Sequence, residues 1–184
     1  MPLTLVACGG GDGESDEDKV IEVIETSATS DDPADCEALN TQAFLEQTQL
    51  SEGVQAIRDC EEEAEGEEND PKSVAVSNVG VEESTATADV AFTGGTYGGQ
   101  TLSVQLIEED GDWKLDEVLG FAEFDQDQLV ATFEESLSSD EAGLTPQEVT
   151  CFGEALGALS KEETEEVLFG GSLERIVLFF EGCS

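Results

Sequence analysis

Five cysteines and no histidine set the chemistry open to this 184-residue chain: Cys8, Cys36, Cys60, Cys151 and Cys183. A thiol can be acylated, oxidised to a disulfide, or deprotonated to ligate a metal or attack an electrophile. The missing histidine removes Ser-His-Asp and Cys-His nucleophilic catalysis, because both need an imidazole base. No CxxC spacing occurs, so a zinc site is not expected. The acidic runs Asp12 to Asp18 and Asp125-Gln126-Asp127 lack the spaced carboxylates, central glycine and closing glutamate of a calcium loop. The glycines at 9–11 and 94–99 match neither GxxxxGK[ST] nor a strand–helix GxGxxG turn. No metal and no cofactor are therefore expected.

Charge narrows the partners. Forty-five Asp and Glu face six Lys and Arg, a formal net charge of −39. Such a surface repels nucleic acid and anionic lipid heads, and its self-repulsion opposes the compact state until salt screens it. A hydrophobic content of 38% still supplies one core, on the lean side.

Leu5-Val6-Ala7-Cys8 is followed by Gly9-Gly10-Gly11 and an acidic stretch to Asp18. This resembles the lipobox of bacterial lipoproteins: a hydrophobic residue three before a cysteine, a small residue just before it, and a flexible tether after it. The resemblance implies cleavage before Cys8, a lipid on its thiol, and an extracytoplasmic protein anchored to the cell membrane. Met1 to Ala7 reads as the end of an apolar signal region whose start is missing. Residues 1–18 are expected to be signal remnant, lipobox and tether.

With Cys8 assigned to the anchor, four thiols remain, and these allow three pairings. The simplest is Cys36 with Cys60 and Cys151 with Cys183, one close pair in each half of the chain; four buried free thiols are the alternative. Val20, Ile21, Val23 and Ile24 lie at helical spacing between Glu17 and Ala28. Asp32 and Pro33 start a second predicted helix with Cys36, Leu39, Ala43 and Phe44 on one face. A third predicted helix, Ser51 to Ala64, carries Val54, Ile57 and Cys60. An antiparallel hairpin of the last two brings Cys36 and Cys60 together.

From Ser73 the period changes to two, through Val74 and Val76, Ala86 to Phe92, Leu102 to Leu106, and Trp113 and Leu115. Four antiparallel strands with one buried face each are expected. Gly94 to Gly99 is read as a wide hairpin loop with Tyr97 at its tip, and Glu109-Asp110-Gly111-Asp112 as a tight one. Further helices are read at Leu129, Val130, Phe133 and Leu137, after the cap Thr145-Pro146-Gln147-Glu148, and after Ser160-Lys161-Glu162-Glu163. Leu173 to Glu181, the most apolar stretch, is too short to span a bilayer and reads as a core helix pinned by Cys183.

Helices followed by a sheet that ends in Asp110-Gly111-Asp112-Trp113-Lys114-Leu115-Asp116 resemble the nuclear transport factor 2-like superfamily, a cystatin-like cone, and within it small actinobacterial lipoproteins of unknown function. The resemblance covers about Lys19 to Phe121. It implies an α+β cone with N-terminal helices packed on a curved antiparallel sheet over 19–124, and residues 125–184 form a disulfide-pinned helical subdomain outside it. Enzymes of this superfamily place an acid or base inside the cone. Here strand alternation puts Asp89, Asp112, Lys114 and Asp116 outward, with Glu117 inward where the last strand continues. No pair of catalytic groups converges, so no catalytic residue is assigned. Phe92, Leu102, Val104, Leu106 and Trp113 are the expected lining of a pocket. The expected function is a non-catalytic binding or scaffolding module at the cell envelope, meeting an envelope protein or a small apolar ligand. The alternatives are an isomerase or dehydratase using Glu117 and Tyr97, or a purely structural envelope protein. Pairing through the open sheet face, as the resemblance implies, is opposed by the charge, leaving a monomer or weak dimer.

Overall fold

A computed structural model of the chain describes residues 15–64, 71–138, 144–170 and 183. Cys8 with its lipobox, most of the tether and the Leu173 to Glu181 segment lie outside the described residues. The chain is α+β. Four helices come first: α1 Asp16–Thr29, α2 Asp35–Leu39, α3 Gln42–Gln49 and α4 Val54–Ala64. Four strands follow, β1 Ser73–Glu82, β2 Thr85–Thr93, β3 Thr101–Glu109 and β4 Asp112–Glu123. Three more helices end the described chain, α5 Gln126–Leu137, α6 Pro146–Gly157 and α7 Lys161–Leu168.

Local chemistry explains most boundaries. Ser15 caps α1 reciprocally with Asp18, and Asp16, Glu17 and Asp18 place negative charge on the positive end of the helix dipole. Thr145 with Glu148 and Ser160 with Glu163 do the same for α6 and α7. Asp110 and Gly111 have φ of 55° and 97°, the two left-handed residues that a two-residue hairpin demands.

The helix predicted to run from Asp32 through Phe44 is instead two helices. Asn40 leaves helical geometry to bridge Leu115 of β4, and the Thr41 side chain caps a fresh start at α3. The break resets the helical phase, so Leu45 is buried and Ala43 is exposed. Asp32 does not cap α2; its carboxylate accepts from Ala34 N at 3.0 Å in the turn before it.

The sheet is an antiparallel meander in the order β1-β2-β3-β4. β3 has 9 residues and β4 has 12. The surplus is absorbed at three register shifts, which skip Asp116, Leu119 and Ala122. Each extra residue bends the strand and raises its local twist. Each also reverses which side chains face the helices, so the inward residues of β4 are Trp113, Leu115, Val118 and Phe121 rather than a strict alternation. Glu117, expected inward, is exposed: the bulge at Asp116 turns it to the outer side.

Two hydrophobic clusters hold the layers together. One joins Val20 and Ile24 of α1 to Ala86, Ala88, Val90, Val104, Leu106, Trp113 and Leu115. α1 approaches the sheet mainly at β1 and β4, above the small Ala86 and Ala88 of β2. Full burial of side chains such as Val20 and Ile24 stabilises by about 1.5–3 kcal/mol each. The other joins Leu102, Val118 and Phe121 to Leu129, Leu156 and Phe169. Helices α5 to α7 therefore share a core with the sheet, and the boundary expected at residue 124 falls inside that core. Phe44 and Phe92 pack against both clusters.

Both expected disulfides form. Cys36–Cys60 and Cys151–Cys183 have Cα separations of 6.1 and 5.6 Å. The first ties α2 to α4 and the second ties α6 to the chain end. Disulfides of this kind mark an oxidising, extracytoplasmic environment. Among the described residues no helix is long and apolar enough to cross a membrane.

Candidate functional site

The seam between the two clusters is not filled. A cavity of about 240 Å³ lies there, walled by Ile24 of α1, Phe44 of α3, Val90 and Phe92 of β2, Leu102 and Val104 of β3, Leu115 and Val118 of β4, and Phe169 after α7. Ser27, Thr48, Gln49 and Glu63 give it one polar edge. A smaller depression of about 140 Å³ shares Ser27, Phe44, Thr48, Gln49 and Glu63 with it and reaches the Cys36–Cys60 bridge. That disulfide thus fixes the helix that carries Glu63 beside the cavity.

Of the expected lining residues, Phe92, Leu102 and Val104 are on the wall. Leu106 and Trp113 are not, and here the sequence reading is corrected. Both belong to the cluster that α1 closes with Val20 and Ile24; Leu106 is 0% exposed and Trp113 3%. Trp113 instead borders a separate groove of about 400 Å³ with Lys19, Val23 and Leu39. Alternation identifies inward residues but not how closely a helix approaches each of them.

Tyr97 is the site residue most changed by the structure. The loop after β2 folds back on itself, with Gly98 N donating to Gly95 O at 3.0 Å and Gly99 N to Phe92 O at 2.9 Å. Thr132 of α5 donates its hydroxyl to Thr96 O at 2.9 Å, pinning the loop to the helix. The Tyr97 ring is thereby turned onto the cavity wall. Its centroid lies 6.1 Å from that of Phe92, 6.3 Å from Phe133 and 5.9 Å from Phe169. Burial, aided by the negative charge of Glu63, pushes its phenol up to about 12. At neutral pH it is an uncharged hydrogen-bonding group on an apolar wall.

Phe44, Tyr97, Phe169 and Glu63 escaped the sequence reading of the pocket. The broken second helix hid Phe44. Tyr97 and Phe169 reach the wall from a loop and a helix end, where no periodicity points. Glu63 belongs to an acidic run, Glu61-Glu62-Glu63, in which nothing singles it out.

A buried amide and a half-buried carboxylate brace the wall. Gln100, 1% exposed, donates to Asp125 O at 2.8 Å and accepts from Asp125 N at 2.9 Å, locking the start of β3 to α5. Glu165 of α7 accepts from Phe121 N at 2.7 Å. This is possible because Gly120, at φ 138°, has no Cβ; one built there would collide with that carboxylate.

The outer face of the sheet is polar. Asp89 accepts from Ser103 Oγ at 2.5 Å and Asn78 Nδ2 at 2.8 Å, and Asp116 accepts from Thr41 Oγ1 at 3.0 Å. Among the described residues no three His, Cys, Asp or Glu side chains converge as a metal site.

The sequence matches no family model and no curated protein. The crystal structure of a nuclear transport factor 2-like protein of unknown function from Silicibacter pomeroyi is similar over 54% of this chain and 86% of its own. The TM-score is 0.36 and the identity 21%.

Proposed function

We propose that this protein is a non-catalytic, extracytoplasmic binding module of nuclear transport factor 2-like cone type, held to the membrane by a lipid on Cys8, which receives a small apolar ligand between its helices and its sheet. The observation that carries the reading is the cavity: about 240 Å³ of space walled by aliphatic and aromatic side chains, with polar groups along one edge only. Sites for small molecules have this make-up, mostly apolar with few polar anchors. Among the described wall residues the ionisable groups are Glu63, at the polar edge, and Tyr97. Tyr97 is a very weak acid, Glu117 faces away, and no histidine exists. An isomerase or dehydratase working through Glu117 and Tyr97 is thereby disfavoured. A solid structural core is disfavoured by the unfilled seam.

The test is methyl NMR with neopentylbenzene, a neutral apolar probe small enough for the space. Saturable shifts confined to the wall methyls of Ile24, Val90, Leu102, Val104, Leu115 and Val118 are expected, and Val104→Phe should abolish them while circular dichroism stays native. Shifts that never saturate, or that survive Val104→Phe, would overturn the reading. For the anchor, native mass spectrometry of protein from its own membrane should show a diacylglyceryl mass on Cys8; a bare thiol there would refute it.

A further inference from the structure

We infer that the ligand of this cavity is an organic cation, an alkylated ammonium group on an apolar body, caged by Phe44, Phe92, Tyr97 and Phe169 beside the Glu63 carboxylate. The inference rests on the apolar-cavity reading and narrows it to one ligand class.

Three observations meet at the same place. The first is aromatic density. The chain has nine Phe, one Tyr and one Trp, yet Phe44, Phe92, Tyr97 and Phe169 line this one cavity. Phe92 and Tyr97 are tilted by 56° and Tyr97 and Phe169 by 37°, with centroids 6.1 and 5.9 Å apart, so three of the four rings are clustered at one part of the wall. The negative face of an aromatic ring attracts a cation, most strongly where water is excluded, and recognition of quaternary ammonium groups relies on such cages.

The second is charge. Glu63 is the one ionisable carboxylate among the described wall residues, and no Lys or Arg is among them. Gln49 Nε2 donates to Glu63 Oε2 at 2.8 Å and fixes the carboxylate at the rim. Its field already reaches Tyr97, whose phenol it helps to keep protonated. A carboxylate ligand would meet repulsion from Glu63, whereas an ammonium would be attracted.

The third is the field of the whole chain. At −39, the molecule draws cations toward it and repels anions. Fatty acids and phosphorylated ligands are thereby disfavoured even before they reach the rim.

The test pairs benzyltrimethylammonium with neopentylbenzene, its uncharged carbon isostere, read by the same wall methyls in 0.5 M sodium chloride so that loose counter-ion condensation is screened (about 4–5 Å Debye length). The cation is expected to bind saturably and at least about tenfold tighter than the isostere. Glu63→Gln and, separately, Phe169→Leu should each remove much of that preference; Phe92→Leu is a second ring variant should the first fold poorly. If the isostere binds as tightly as the cation, the cation inference fails while the apolar-ligand reading stands. If neither shifts the wall methyls, both fail. If the cation binds with unchanged affinity in both ring variants, it is held by the acidic surface and the inference is overturned.

Discussion

Gln47 and Val118 exchange two hydrogen bonds: Val118 N donates to Gln47 Oε1 at 2.7 Å, and Gln47 Nε2 donates to Val118 O at 3.0 Å. A side chain of α3 thus replaces the missing neighbour on the open edge of β4, between the bulges at Asp116 and Leu119. The same Nε2 also donates to Phe169 O at 2.8 Å, so one amide positions two residues of the cavity wall.

Gln47→Leu keeps the bulk but leaves the Val118 backbone groups and the Phe169 carbonyl without that partner. Loss of partly buried hydrogen bonds of this kind costs about 1–3 kcal/mol. Chemical denaturation should show that loss, and amide exchange at Val118 should quicken. Wild-type stability together with unchanged exchange at Val118 would mean the amide merely rests on the edge.

Gly120 provides a sharper case. Its φ of 138° is closed to ordinary side chains, and a Cβ would drive into the Glu165 carboxylate that accepts from Phe121 N. Gly120→Ala should therefore destabilise by about 1–3 kcal/mol through backbone strain, and more if α7 is displaced. Pairing it with Glu165→Ala should recover part of the loss, because the collision goes while the strain stays. Additive losses in the double variant would show that the two residues do not touch.

These two sites also show what could be read from the sequence and what could not. The four strands were legible because Ala86, Ala88 and Val90, and Leu102, Val104 and Leu106, alternate cleanly with polar neighbours and pair in register. The disulfides followed from the placement of Cys36 and Cys60 at the facing ends of two helices. β4 was legible only as far as Leu115, since each later bulge adds a residue that no hydrophobic pattern marks. Leu119-Gly120 was the available signal: a glycine inside a strand pattern often marks a bulge or a close approach. The cavity was half legible. Phe92, Leu102 and Val104 follow from alternation, while Phe44, Tyr97 and Phe169 depend on a helix break, a folded loop and a helix end, all fixed by contacts distant in sequence.

Tyr97 gives a direct spectroscopic check on the site. It is the single tyrosine, so its phenolate band titrates without overlap from another phenol. The native phenol should ionise near pH 12 rather than near 10, with burial as the main cause and Glu63 second. Below about pH 10 the phenol is neutral in both folded and unfolded chains and gives no pH dependence. As pH rises from 10 toward 12 the unfolded chain loses the proton first, so stability falls across that window. Glu63→Gln should move the native titration downward but leave it above 10, because burial remains. A native titration at the free-tyrosine value would place the ring in water and off the cavity wall.

The Cys36–Cys60 bridge closes a sequence separation of 24 residues, for which the chain-entropy model gives about 3–4 kcal/mol. Replacing both cysteines by serine should lower stability by up to that amount. It should also loosen α4, and with it Glu63, relative to α2. The cavity's aliphatic wall comes from the sheet and α1, so binding of neopentylbenzene should weaken less than the preference for the cation. Equal loss of both would show that the bridge supports the whole cavity rather than its rim.

Salt dependence tests the balance that permits the fold at all. Ion pairs among the described residues, Lys19–Asp16, Lys114–Glu109 and Lys161–Glu165, span 2.9 to 3.9 Å and sit at or near the surface. Exposed pairs contribute about 0–1 kcal/mol each, far too little to offset the repulsion of 45 carboxylates against six basic groups. Screening should therefore help more by relieving repulsion than it harms by weakening these pairs. Raising sodium chloride from about 0.01 M to 1 M shortens the Debye length from about 30 to 3 Å, and Tm should rise across that range. Most of the rise should come by about 0.15 M, where the length is already near 8 Å. Chloride is the right anion for the test, because sulfate would raise Tm through hydrophobic burial alone. A Tm that stays level or falls would mean that condensed counter-ions already neutralise the surface in dilute buffer.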